Sequence, residues 1–135
     1  MGDFVEIIKY EENNFKPVVV FKSWRVAVLN YFDYVSKEGL KMVEKHPETD
    51  EVFVLTKGEA FLIVGDDSEK PKDLSILKME AGVVYNIKAN VWHFIAMSTD
   101  CSVLLVENSD TSVENTGYCD IDPQELKELK DQIVF

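Results

Sequence analysis

The sequence predicts an all-β chain, an antiparallel sandwich or barrel closed by a short α-helix, and three observations carry the prediction. From Trp24 to Asn108, short β-branched and aromatic runs are separated by turn residues, the pattern of antiparallel pairing rather than of strands alternating with crossover helices. One hairpin is explicit: Val52-Phe53-Val54-Leu55 and Ala60-Phe61-Leu62-Ile63-Val64 flank Thr56-Lys57-Gly58-Glu59, where Gly58 supplies the positive φ of a tight turn. The helix is announced by Asp122-Pro123-Gln124-Glu125, which joins an N-cap, a proline at the first helical position and a glutamate three residues after the cap.

Taken in order, the runs predict nine strands, at 18–21, 24–32, 42–46, 52–56, 60–64, 74–79, 83–88, 92–97 and 102–107. Residues 65–71 are polar and turn-rich without apolar periodicity, so they form an exposed loop. After the cap, Leu126, Leu129 and Ile133 recur at helical spacing, which gives a short amphipathic helix over about 123–133 whose apolar stripe covers the barrel or a neighbouring subunit. The whole chain, 1–135, reads as one domain with its core barrel over about 18–108, because two cores in 135 residues would each be starved of apolar surface. Hydrophobic residues at 46% suffice for one core, and 29% charge without a long polar tract argues against disorder.

Charge and termini narrow the class of partner. Fourteen Lys and Arg against 25 Asp and Glu give a net charge of −11, which repels phosphate backbones and anionic lipid, so nucleic acid and membrane are excluded as partners and a small molecule is expected. The first twenty residues carry Asp3, Glu6, Glu11 and Glu12 and no apolar run ahead of a cleavage site, and Glu6 stands where the Met1-Gly2 start would need Ser or Thr for myristoylation. A cytoplasmic protein is the expectation, with Cys101 and Cys119 as free thiols.

The chain has two histidines, in Glu44-Lys45-His46-Pro47-Glu48-Thr49-Asp50-Glu51-Val52-Phe53 and in Asn90-Val91-Trp92-His93-Phe94. Residues two apart on a strand share a face, so Glu44 and His46 project to one side together, as do Glu51 and Phe53 from the next strand. Imidazole and carboxylate suit one divalent metal such as Zn, Ni, Fe or Mn, which makes His46, Glu51, His93 and Glu44 candidate ligands. Tyr85, Trp92 and Phe94 could stack on a ligand, and Lys88 and Arg25 are the basic candidates to hold a substrate carboxylate.

These stretches resemble the two signatures of the cupin superfamily, a His-x-His followed by Glu and Gly, and a second segment ending in His. Four residues separate His46 from Glu51 and six separate Glu51 from Gly58, while His93 lies eleven residues after Gly82. The first histidine of the His-x-His pair is replaced by Glu44. The resemblance implies a cupin-type double-stranded β-helix, a jelly-roll barrel, with the histidines in its internal pocket.

Over residues 46–118 the chain also looks like the ureidoglycolate lyase family, on His46-Pro47, Phe53, Leu55, Gly58, Phe61-Leu62, Val64, Pro71, Gly82-Val83, Tyr85, Val91-Trp92-His93, Leu104-Leu105-Val106 and Asn115. That resemblance implies cleavage of ureidoglycolate to glyoxylate and urea, with a base taking the carbinol proton and an acid protonating the departing nitrogen, roles open to His46, Glu51 and His93. The chain departs from the family at Asn86-Ile87-Lys88-Ala89-Asn90, where a Tyr-His-Arg step is usual, and at Glu51, where Gln is usual. Three readings therefore compete: such a lyase, a different metal-dependent cupin enzyme, and a non-catalytic small-molecule binder. Phe4, Val5, Ile7 and Ile8 supply apolar surface for a homodimer.

Overall fold

The computed structural model describes residues 4–135; Met1 to Asp3, and with them the Met1-Gly2 start, lie outside the described residues. Ten strands pair in antiparallel fashion into two five-stranded sheets. The strands are β1 (Phe15–Phe21), β2 (Trp24–Asn30), β3 (Met42–Lys45), β4 (Glu51–Lys57), β5 (Ala60–Val64), β6 (Ser75–Lys78), β7 (Val84–Ile87), β8 (His93–Met97), β9 (Ser102–Asn108) and β10 (Gly117–Asp120). The first sheet runs β1-β2-β9-β4-β7 and the second β10-β3-β8-β5-β6, so strands near in sequence alternate between sheets, as in a jelly roll.

Alternation decides what lies between the sheets. Along β4, Glu51, Phe53 and Leu55 are buried while Val52 and Val54 are half-buried, and along β9 Val103, Leu105 and Glu107 are buried between less covered neighbours. The interior core gathers Leu29, Phe53, Leu55, Leu62, Ile95, Met97, Val103 and Leu105. The β4–β5 turn has Gly58 at φ 76°, and a Cβ there would stand 2.7 Å from the Cα of Cys101, so both conformation and space demand glycine.

A second core lies on the outer face of the second sheet, where Val43, Ile63 and Ala96 meet Leu129 and Ile133. The helix α1 (Pro123–Gln132) supplies Leu129, and the Asp122 carboxylate caps it by accepting from the backbone N–H groups of Gln124 and Glu125. The helical stripe thus covers the barrel, one of the two surfaces expected for it.

All nine predicted strands form, with end shifts. The predicted 24–32 strand stops at Asn30, whose side-chain amide donates to the Tyr10 and Glu12 carbonyls as the chain turns away. The tenth strand, β10, was not expected: it is four residues long and follows a polar stretch, yet it pairs with β3 through Tyr118↔Glu44 and Cys119↔Val43. Cys101 and Cys119 are free, and no helix among the described residues is long and apolar enough to cross a membrane.

Candidate functional site

Strand register assembles a layer of charged side chains at one end of the interior. On the first sheet Arg25 of β2 pairs with Glu107 of β9, and the Val52↔Val106 pair sets Glu51 of β4 beside Glu107. On the second sheet Glu44 of β3 lies between His93 of β8 and Tyr118 of β10. His46 follows directly after β3, on the same side as Glu44.

Glu51 is the hub. Its Oε1 lies 2.9 Å from His93 Nε2 and 3.2 Å from His46 Nε2, and Glu44 Oε1 lies 3.7 Å from that same His46 nitrogen. The far sides of both rings are committed. His93 Nδ1 donates to the carbonyl of Val91 at 2.9 Å. His46 Nδ1 lies 3.0 Å from Thr116 Oγ1, and that hydroxyl gives its single proton to the Ser112 carbonyl at 2.6 Å, so it accepts from the ring.

With both Nδ1 atoms protonated, a neutral imidazole at either position aims its Nε2 lone pair at a carboxylate oxygen. That is repulsive unless something positive sits among these atoms, either protons on the Nε2 atoms or a metal ion. Burial pushes both imidazoles toward lower pKa, but the hydrogen bond and charge of Glu51, with help from Glu44, outweigh it and raise both. Burial alone would raise Glu51; the two imidazoles reverse this and hold its carboxyl down at about 2. Glu44 is raised by burial against the pull of both rings. Glu107 is pushed up to about 7 by burial and by the Glu51 charge, against the opposing pull of Arg25.

The donor set fits a metal. Glu44, His46, Glu51 and His93 each offer one ligand atom, and the four atoms lie within 4.8 Å of one another. Two imidazoles and two carboxylates, with outward nitrogens fixed by hydrogen bonds, are the chemistry of a borderline divalent site.

The cluster forms the floor of a cavity of about 330 Å³. Arg25 and Glu107 line it as a pair, Nη2 to Oε1 3.4 Å, and among the described residues Arg25 Nε and Glu107 Oε2 are buried without a hydrogen-bond partner. Other walls are aromatic, with Phe15, Tyr34 and Tyr118 partly exposed where the cavity opens.

The structure brings His46, Glu51, His93 and Glu44 together, and Arg25 with them. Lys88, Tyr85 and Trp92 do not line this cavity. Lys88 is exposed just past the end of β7, because its neighbour Ile87 takes the inward position. Tyr85 pairs with Phe53, and its hydroxyl accepts from the Glu80 backbone N–H. Trp92 is 3% exposed in the outer core, with Nε1 donating to the Ser68 carbonyl.

Glu107 and Thr116 lie at the two ends of a polar run, 107–116, that reads from sequence as pocket rim or turn and gives neither residue a role at the centre. The alternation Val103, Leu105, Glu107 on one strand was the available signal for the first, since it sets a carboxylate at an inward position. Thr116 offered none, because its link to His46 spans 70 residues.

Two sheets in jelly-roll order around a histidine and glutamate cluster define a cupin. The sequence profile of the ureidoglycolate lyase family matches residues 6–127, and the chain belongs to that family. No curated protein matches it in sequence. Among solved structures, a Streptomyces Pac13 variant with uridine is 9% identical, covering 88% of this chain and 97% of its own at a TM-score of 0.59. KdgF from a Halomonas species is 11% identical, covering 73% and 79% at a TM-score of 0.54. A cupin-2 domain protein from Shewanella frigidimarina is 18% identical, covering 73% and 84% at a TM-score of 0.48. The Pac13 and KdgF matches are likenesses of fold.

Proposed function

We propose that the protein is a carbon–nitrogen lyase that cleaves ureidoglycolate, or a related small hydroxy or ureido acid, with one divalent ion, Zn, Ni, Fe or Mn, held by His46, Glu51, His93 and Glu44. The observation that carries this reading is the convergence of two Nε2 atoms on Glu51 with both Nδ1 atoms already committed. Membership of the family supports the reaction class. Bound there, such an ion supplies a Lewis acid that polarises the substrate oxygen nearest it.

The chain's own groups account for the rest. Arg25 is the cation facing the cavity that suits a substrate carboxylate. Glu107, buried in the cavity lining beside Arg25, takes the carbinol O–H proton as the carbon–nitrogen bond breaks and returns it to the departing urea nitrogen. The products are glyoxylate and urea, and no net proton is consumed. Lys88, Tyr85 and Trp92 lie outside the cavity and on this reading do not touch the substrate.

The first test is elemental analysis of protein purified without a metal-affinity tag, beside urea and glyoxylate release from ureidoglycolate. About one metal per chain is expected, lost in His46→Ala and His93→Ala, with turnover abolished by chelation. Turnover that survives complete metal removal would sink the metal-dependent form. Metal without turnover would favour the second reading, a different metal-dependent cupin enzyme, which the Asn86–Asn90 departure from the family supports; binding of a small acid without metal or turnover would favour the third, a non-catalytic binder.

We place the protein in the cytoplasm as a homodimer. Phe4 and Ile7 are 94% and 80% exposed ahead of edge strand β1, which leaves apolar surface and unpaired backbone groups for a second copy. Sedimentation showing only monomer at micromolar concentration would refute the dimer.

A further inference from the structure

The cavity is built for more than a small polar acid. Six of its lining residues are aromatic: Phe15, Phe32, Tyr34, Phe53, Phe94 and Tyr118. Three of the rings form one contiguous patch, with Phe32 stacked on Tyr34 at 5.9 Å between centroids and Tyr34 edge-on to Phe94 at 5.3 Å. On the other side the Arg25 guanidinium lies 5.6 Å from the Phe15 ring centroid, so the cation is flanked by an aromatic face. The charged groups are confined to the layer of Arg25, Glu107, Glu51, Glu44 and the two histidines.

Ureidoglycolate cannot use the phenyl rings. Each of its carbons carries oxygen or nitrogen, so it has no apolar surface to set against Phe15, Phe32, Phe53 and Phe94, and the hydroxyls of Tyr34 and Tyr118 are the hydrogen-bonding groups that the aromatic lining offers it. A cavity of about 330 Å³ also falls in the range that takes ligands with a distinct apolar body, roughly 300–1,000 Å³.

We infer that the ligand is a hydroxy or ureido acid bearing a flat apolar ring, its acid head in the charged layer beside Arg25 and its ring against Phe15, Phe32 and Tyr34. This rests on the proposed site but not on lyase chemistry. The parent acid then binds as a head group alone. Selectivity is read at the mouth, where Phe15 and Tyr34 are 36% and 40% exposed and can change without opening the core.

The test uses full-length protein carrying whatever metal it purifies with. Titration calorimetry compares glycolate, mandelate and 3-phenyllactate, and the turnover assay compares ureidoglycolate with its N-phenyl derivative. At least about tenfold tighter binding of a phenyl acid than of glycolate is expected, in the range that apolar pockets give for added hydrocarbon, and Tyr34→Ala and Phe15→Ala should each remove most of that gain. Mandelate and phenyllactate binding no tighter than glycolate overturns the inference, as does a gain that persists in both variants. Ureidoglycolate turnover with no advantage for the N-phenyl compound overturns it and leaves the lyase standing. A ring preference without turnover of either compound supports it while the lyase reading falls.

Discussion

The two ends of the space between the sheets are built by the same strands and behave as opposites. At one end Leu55, Leu62, Met97 and Val103 are each 3% exposed or less and close the barrel with hydrocarbon. At the other, the same β4 and β9 present Glu51 and Glu107, facing His93 and Glu44 across the interior. The apolar end needs no partner beyond packing. The charged end holds ionisable groups that are stable only when protons or a cation balance them. Stability is concentrated at one end, which lets the other carry groups that packing alone would reject.

The largest effects should come from substitutions that erase either end. Leu62→Ala should lower the unfolding free energy by about 2–5 kcal/mol in urea titrations while leaving metal content per chain unchanged. Glu51→Gln should do the reverse in kind, reducing metal affinity by more than about 100-fold, beyond what removing an outer hydrogen-bond partner does. Equal effects of the two on metal content would dissolve the contrast.

pH separates the ends next. Both imidazoles bind protons more tightly folded than unfolded, so their contribution is complete below the unfolded value of 6.5 and is lost as pH rises through the folded values. Glu107, raised from 4.5 to about 7, has the same sign: its contribution is present below 4.5 and gone above about 7. Glu51, lowered to about 2, has the opposite sign, contributing above 4.5 and losing its effect as pH falls toward 2. The metal-free protein should therefore lose urea resistance as pH rises from 4.5 through about 7, where Glu107 titrates, and on past 6.5 as the imidazoles lose their protons. Added metal should stabilise progressively more over the same interval, because it displaces those protons. A metal-free midpoint that rises across that range would contradict the carboxylate–imidazole contacts.

Smaller effects test the edges of the site. Thr116→Val should weaken metal binding by about 10–100-fold and shift its pH profile, whereas Thr116→Ser, which keeps the hydroxyl, should stay near wild type. Lys88→Ala should change stability by less than about 0.5 kcal/mol and leave binding of small acids unaltered; a large loss of binding would return Lys88 to the site.

The sequence made the apolar end and half of the charged end legible, for physical reasons. Inward positions with period two are visible in Val52 to Leu55 and in Val103 to Glu107, and the Gly58 turn fixes where β4 and β5 reverse. Glu44, His46, Glu51 and His93 were readable as a group because each is polar within or beside an apolar strand. Lys88 was misjudged by proximity in sequence: the inward position belongs to Ile87, and chain neighbours on a strand face opposite ways. Strand β10 and the link from Thr116 to His46 are not legible in the sequence because their partners are far along the chain, and a four-residue strand carries too few positions to show a period.

The two imidazoles differ in how their outward nitrogens are tethered. His93 is held by a carbonyl two residues away, so its tether is carried within three consecutive residues, 91–93. His46 is held from 70 residues away, through Thr116 and the capped turn of Ser112 and Asn115. Sequence drift in the C-terminal segment therefore reaches the centre through His46, by way of Thr116, and through Glu44, by way of its β10 partner Tyr118, but not through the His93 tether. Substitutions in the C-terminal segment should therefore retune the centre from the side of His46 and Glu44 while leaving the His93 tether intact.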